Sequence, residues 1–388
     1  MDAVGTVEPG FEPVRDAFVA NFANHAEVGA ACCIYLGGRR VVDLWGGTTT
    51  AGGGAPYEPG TLQVVMSSTK GMVSVAAHIL AQEGRLNFDA PVTDYWPEFG
   101  AEGKERMPVR WLFSHRAGLA AIDRPLSLEQ VLAWDPVVAA LEVQRPLWEP
   151  NSTHGYHVGT FGWLAGEIVR RASGMRVGQF VAERIAGPLR LDLWIGLPES
   201  KTSRVSPIIP PPPPAPGAPI DDMTRRLLDP TTLLHRAFAN PFVPPAAFND
   251  PAFFAAEVPP ANGITDARSL ARMYAACIGE VDGVRLLTPD TVDRATRVQS
   301  AGEDLVLGYE TRFATGFPAV VPVPADAGRG FVRTLRHGGL GGIRPPGPRR
   351  GLRLRHEPDA LVRWDRPAFR RPGRGAHRLH PLEPQRSA

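Results

Sequence analysis

Ser67 and Lys70 stand three residues apart in VVMSSTKGMVSVAAHILAQEG, residues 64 to 84, at the head of an apolar helix in a chain with three lysines and 39 arginines. On the opening turn of a helix, positions i and i+3 share a face. The Lys70 amine can therefore lie beside the Ser67 hydroxyl, and the Ser67 N–H is among the unpaired donors of that turn. A guanidinium keeps its proton in a protein, whereas a desolvated ammonium can lose it, so a lysine kept against an arginine bias fits the part of a base. S-x-x-K at this position points to nucleophilic attack by the serine, with the amine taking its proton. The pattern fixes only two residues in four, and a serine at a helix start also serves as an N-cap.

A phenol supplies the second candidate. Tyr156 lies between Gly155 and Gly159 in EPNSTHGYHVGTFGWLAGE, just ahead of a helix, where the backbone lets it approach another group. A lysine ammonium beside it would favour the phenolate and make it a base, although a tyrosine by itself more often fills a core with its hydroxyl paired. The third stretch is RHGGLGG, residues 336 to 342, where four glycines surround a strand-like run that a substrate can pair with at close range. His337 in that stretch either touches the substrate or is an ordinary polar residue of a glycine turn.

The elements that must carry these residues follow from periodicity. FEPVRDAFVANFANH spaces its apolar residues as a helix, and VGAACCIYLGGRRVVDLWGG reads as two strands about a turn at Gly37 and Gly38. Residues 68 to 83 make a helix that is apolar nearly all round, with Lys70 its only charge before Glu83, the mark of a central, buried helix. From about 86 to 285 the signals are helical and loop-like: VRWLFSHRAGL, LSLEQVLAW, GTFGWLAGEIVRRASG closing on Gly174, and DARSLARMYAACIG with Asp266 as N-cap. IIPPPPPAPGAP, residues 208 to 219, predicts an extended polyproline surface loop.

Composition excludes several classes. With 43% apolar and 21% charged residues the chain is an ordinary globular one, without a transmembrane-length segment or a secretory signal in MDAVGTVEPGFEPVRDAFVANF, and a cytoplasmic location is the expectation. Cys32, Cys33 and Cys277 suggest buried thiols and no disulfide framework or zinc site. Residues 343 to 388 hold 12 arginines against four acids, so the remainder is net negative despite an overall +2, which speaks against a nucleic-acid partner bound to the body. G-x-S-x-G, H-E-x-x-H, Walker-type and well-formed G-x-G-x-x-G motifs are absent, so no cofactor, metal or nucleotide is expected.

Taken in order, the three motifs resemble the class C β-lactamase and penicillin-binding-protein superfamily, and within it the family VIII carboxylesterases and related acyltransferases. IYLGGRRVVDLWGG, LFSHRAGL and ANGITDARSLARMYAA extend the resemblance over residues 10 to about 342. It implies an α+β, β-lactamase/transpeptidase-like fold: one domain over residues 1 to 342, with an antiparallel sheet lobe (about 10–85 and 285–342) flanked by helices and a mainly helical lobe (about 86–284). It also implies Ser67 as acylated nucleophile, Lys70 as general base and Tyr156 as proton relay, and an oxyanion hole from the N–H groups of Ser67 and Leu340. The substrate-binding strand would be His337, Gly338, Gly339 and Leu340. The implied substrate is a small ester, with β-lactam, D-amino-acid peptide and acyl-transfer chemistry as neighbours. Two departures lean towards esters: Tyr156-His157-Val158 stands where β-lactamases have Y-x-N, and His337-Gly338-Gly339 where they have K-T-G.

After Gly342 the resemblance stops. IRPPGPRRGLRLRHEPDALVRWDRPAFRRPGR has neither strand alternation nor helix periodicity. Writing Arg350 to Ala360 with CGN arginines and CTN leucines, then dropping the first base, permits V-G-F-G-Y-V-M-N-R-M, which is similar to the closing strand of the family. The expectation is a frame-shifted tail, with a disordered basic arm as the other reading and an inactive product as its functional consequence.

Overall fold

In the computed structural model residues 3–210 and 219–319 are described. Most of the polyproline run, together with His337, Gly338, Gly339, Leu340 and the 343–388 tail, lies outside the described residues.

The first sheet is built around one hairpin. β2 (Gly29–Leu36) and β3 (Arg39–Gly47) are joined by Gly37 and Gly38, both at positive φ (57° and 80°), which is the two-residue turn whose twist matches the strands. β1 (Val4–Val7) adds antiparallel to the other side of β3, giving the order β1-β3-β2. The sequence predicts only the hairpin, because VGTV shows no apolar alternation to mark a strand. Helix α1 (Glu12–Asn24) covers this sheet, burying Phe18 against Val41, Val42 and Leu44. On β3, Asp43 is buried and held by Arg40 (3.2 Å) and by Arg268 (2.8 Å) from helix Ala267–Ile278, which caps its first turn with Asp266 as predicted.

The second sheet is short and sets up the site. β4 (Gln63–Val64), β5 (Leu193–Trp194) and β6 (Ile264–Thr265) form an antiparallel sheet in the order β4-β6-β5. β4 runs directly into helix α2 (Thr69–Gln82), in which every residue from Thr69 to Leu80 is buried. Gly71 makes room there for the Tyr274 ring: a Cβ would lie 1.9 Å from its hydroxyl and would have to displace it. Helix α2 packs against helix Thr160–Ser173, which ends at Gly174 with φ 71° as its sequence predicts. A third pair, β7 (Ser300–Glu303) and β8 (Glu310–Phe313), packs its end against α2. The contacts are polar: the Ser74 hydroxyl lies 2.9 Å from the Gly316 carbonyl, and His78 Nε2 donates to the Thr315 carbonyl at 2.8 Å. Lys70, Ser74 and His78, spaced by four, thus form a polar stripe on a helix expected to be apolar nearly all round.

Candidate active site

The main chain changes direction just before Ser67. Met66 adopts φ 46°, an unfavourable conformation for a residue with a side chain, and it is held from both sides. Val65 N–H donates to the Gly263 carbonyl at 2.8 Å, and Met66 forms a bridge to Asn262. The Thr69 hydroxyl donates to the Met66 carbonyl and receives the Gly263 N–H at 2.7 Å. The turn presents Ser67 half-buried, at the edge of solvent. Ser67 is not an N-cap. Its side chain faces Lys70, Ser68 takes the cap position without a side-chain cap bond, and among the described residues the Ser67 N–H has no partner.

Lys70 is 6% exposed, and its Nζ lies 3.0 Å from Ser67 Oγ and 3.0 Å from the Pro260 carbonyl. The aromatic faces of Tyr156 and Phe161 lie 5.2 and 6.0 Å from the nitrogen. Among the described residues no carboxylate compensates this burial, and desolvation pushes the Lys70 pKa from 10.5 down to about 7. At neutral pH a large fraction of the amine is uncharged and carries a free lone pair.

Tyr156 closes the triangle: its ring lies 5.2 Å from Lys70 Nζ, and the Ser67 side chain acts on its phenol. Burial pushes the phenol up to about 12, the opposing influence of the Ser67 side chain being too weak to offset it. The expectation of a phenolate base is therefore corrected. Lys70 is itself charged only part of the time at neutral pH, and burial outweighs any field it supplies toward ionising the phenol. Tyr156 is a neutral hydroxyl, able to accept one proton while donating another.

Residues that the sequence did not single out surround this triangle. The Tyr156 ring stacks on Phe313 (5.9 Å, 9°) and meets the edge of His115 at 4.9 Å. The Tyr156 N–H points at both oxygens of buried Asp304, 3.0 Å from each. His115, another residue at positive φ (61°), accepts the His157 N–H on Nδ1 at 3.1 Å. His157 accepts the Leu119 N–H on Nε2, so its Nδ1 carries the proton and donates to the Gly155 carbonyl. Burial first, and in His115 also the neighbouring His157 and Lys70, hold both imidazoles neutral. The one sequence signal for His115 is its place in LFSHRAGL. Among the described residues no group of three or more His, Cys, Asp or Glu side chains could hold a metal ion, and no helix is long and apolar enough to cross a membrane.

The arrangement brings Ser67, Lys70 and Tyr156 into mutual contact; His337 to Leu340 fall outside the described residues. A hydroxyl bonded to an uncharged amine and set beside a neutral phenol can be deprotonated, attack a carbonyl and pass the proton on.

Known proteins share this sequence and architecture. The chain is 36% identical over 300 residues to the esterase/β-lactamase LipL of Mycobacterium tuberculosis, covering 76% of this chain and 69% of that one. The crystal structure of a family VIII carboxylesterase superposes with a TM-score of 0.75 at 36% identity, over 84% of this chain and 85% of that one. A penicillin-binding protein homolog from Caulobacter crescentus gives 0.74 at 34% identity, over 88% of each chain. The model of the family described as Beta-lactamase matches residues 14–346, and the chain belongs to that family.

Proposed function

We propose that the chain, a serine hydrolase of the Beta-lactamase family, cleaves small carboxylic esters through an acyl-enzyme on Ser67. Ser67 Oγ attacks the ester carbonyl as its proton passes to Lys70 Nζ. The ammonium so formed is stabilised by the Pro260 carbonyl and the two aromatic faces. The charge on the carbonyl oxygen is held by the Ser67 N–H, with Leu340 N–H as the second donor that the resemblance supplies. Collapse of the tetrahedral species expels the alkoxide, which takes a proton from the Tyr156 hydroxyl as Lys70 reprotonates the phenol. Water then attacks the acyl group by the same route, with Lys70 as base and Ser67 as leaving group.

One observation carries the reading: a buried amine, pushed down towards 7 by desolvation, lies 3.0 Å from a serine hydroxyl at the mouth of a dry helix. The LipL relative and the carboxylesterase structure support esters as substrates. Val158 offers no amide where β-lactamases carry the asparagine of Y-x-N. The name of the LipL relative also favours a second reading, β-lactam hydrolysis by the same three groups. A fluorophosphonate should label the chain stoichiometrically, with labelling abolished in Ser67→Ala, and p-nitrophenyl butyrate should be turned over faster than a chromogenic cephalosporin. Labelling that survives in Ser67→Ala would remove Ser67 as nucleophile; the reverse substrate order would favour the second reading.

A further inference from the structure

The carboxylate of Asp304 is fully buried, and among the described residues no cation forms an ion pair with it. Such a charge is costly unless donors converge on it, and four do. The Val306 and Leu307 N–H groups donate to Oδ1 at 2.9 Å each, and the Thr311 hydroxyl donates to Oδ2 at 3.1 Å. The fourth donor is the Tyr156 N–H, shared by both oxygens at 3.0 Å. The Val306 and Leu307 bonds are local, of the kind any aspartate opening a loop makes. The bond to Tyr156 spans 148 residues of sequence and serves no turn.

The surroundings reinforce that bond. The Leu305 N–H donates to the His154 carbonyl at 3.1 Å, and His154 Nε2 lies 2.8 Å from the Thr311 hydroxyl, so the loop is tied to the 154–156 segment three times. Behind it, Arg226 of helix Asp222–Leu228 donates to the Val306 and Leu307 carbonyls. The β7–β8 hairpin supplies both the carboxylate that takes the Tyr156 main chain and Phe313, which stacks on its ring. Two fixed points, one on the backbone and one on the ring, define where the phenol oxygen falls.

We propose that Asp304 is a positioning residue: acting through the Tyr156 main chain, it sets the phenol against Ser67. This rests on the reading of Tyr156 as the proton relay. A charged acceptor holds the N–H more firmly than a neutral one, and displacement of a reacting group by about 1 Å can cost on the order of 100-fold in rate.

The test is a double-mutant cycle on the full chain with p-nitrophenyl butyrate, rates being referred to sites titrated with a fluorophosphonate so that misfolded molecules do not count. Asp304→Asn keeps the size and one acceptor oxygen and removes the charge. Its kcat should fall about 10- to 100-fold with KM within about twofold, the signature of a misplaced reacting group. In a Tyr156→Phe background the same substitution should change kcat by less than about twofold, because its route runs through the phenol. Thr311→Val, which removes the side-chain donor to Oδ2, should repeat the pattern at smaller amplitude and carries the test if Asp304→Asn does not fold. Equal losses in the two backgrounds, or none in either, overturn the proposal and leave Tyr156 its role. A Tyr156→Phe variant as active as the parent removes that role and the proposal with it.

Discussion

Two of the three lysines are buried, and the turn that holds Lys70 and the loop that holds Lys104 share much of their setting, although the Glu102 and Glu105 carboxylates pull the Lys104 pKa up and, among the described residues, no carboxylate does so for Lys70. Each ammonium nitrogen sits 5.2 Å from an aromatic centroid, Tyr156 for Lys70 and Phe99 for Lys104. Each is bonded to two oxygens: Ser67 Oγ and the Pro260 carbonyl for Lys70, the Glu142 and Gln144 carbonyls for Lys104. Desolvation lowers both, to about 7 and about 8. The difference that decides the chemistry is the partner. Lys104 faces carbonyls at the end of helix Asp135–Val143, acceptors that have nothing to give up, and so acts as a C-terminal cap from a distant loop. Lys70 faces a hydroxyl with a proton to lose. A lowered pKa makes a lysine capable of acting as a base, and only a reactive neighbour makes that capacity chemistry.

The same substitution at both positions separates the two roles most widely. Lys70→Met keeps an apolar stem and removes the amine, so kcat/KM for p-nitrophenyl butyrate should fall about 10²- to 10⁴-fold, the usual contribution of a general base. Unfolding by urea should be little changed, since removal of a desolvated amine offsets the donor that the Pro260 carbonyl loses. Lys70→Arg should not restore activity, because a guanidinium cannot surrender its proton. A Lys70→Met enzyme with near-parental kcat/KM would erase the distinction between the two lysines.

A pH profile sharpens the comparison next. If the uncharged Lys70 is the active form, kcat/KM should fall about tenfold per pH unit below about 7 and stay flat above it. The buried His115 and His157, held below their ordinary values, remain neutral through that window, and Tyr156, pushed up to about 12, keeps its proton well into the alkaline range. A limb that vanishes in His115→Gln or His157→Gln would assign it to an imidazole and not to Lys70, and the absence of any limb on the acid side of neutrality would mean that the protonation of Lys70 does not set the active form.

How much of this could be read from the sequence depends on the distance over which each contact is made. Ser67 and Lys70 share one helical turn, so their meeting is a matter of spacing. Gly37-Gly38, Gly174 and Asp266 are likewise local signals that the fold bears out. Tyr156 is identified through its motif order and the resemblance, since nothing local brings it to Ser67. Asp304, Pro260 and the carbonyls that meet Ser74 and His78 act across separations of 148 to 242 residues, where no periodicity reports a partner. The two-residue strands β4, β5 and β6 are equally illegible: their pairing is imposed by the loop around Gly263 and is not written in an alternating pattern.

The smallest expected effect is also the converse of the first. Lys104→Met should leave kcat per titrated site unchanged while lowering stability by about 2 kcal/mol. The Glu142 and Gln144 carbonyls lose their donor, an unsatisfied buried group costing roughly 1–3 kcal/mol, and removal of a desolvated amine offsets part of that. The pH dependence fixes the sign. With the folded pKa near 8 against an ordinary 10.5, the unfolded chain binds more protons at Lys104 between those values, so this lysine's contribution to stability rises with pH across that window. The gap between parent and Lys104→Met in urea midpoint should therefore widen from pH 8 to 10. A gap that narrows would mean that the ammonium, not the neutral amine, is the better cap, and that desolvation does not govern Lys104 as it governs Lys70.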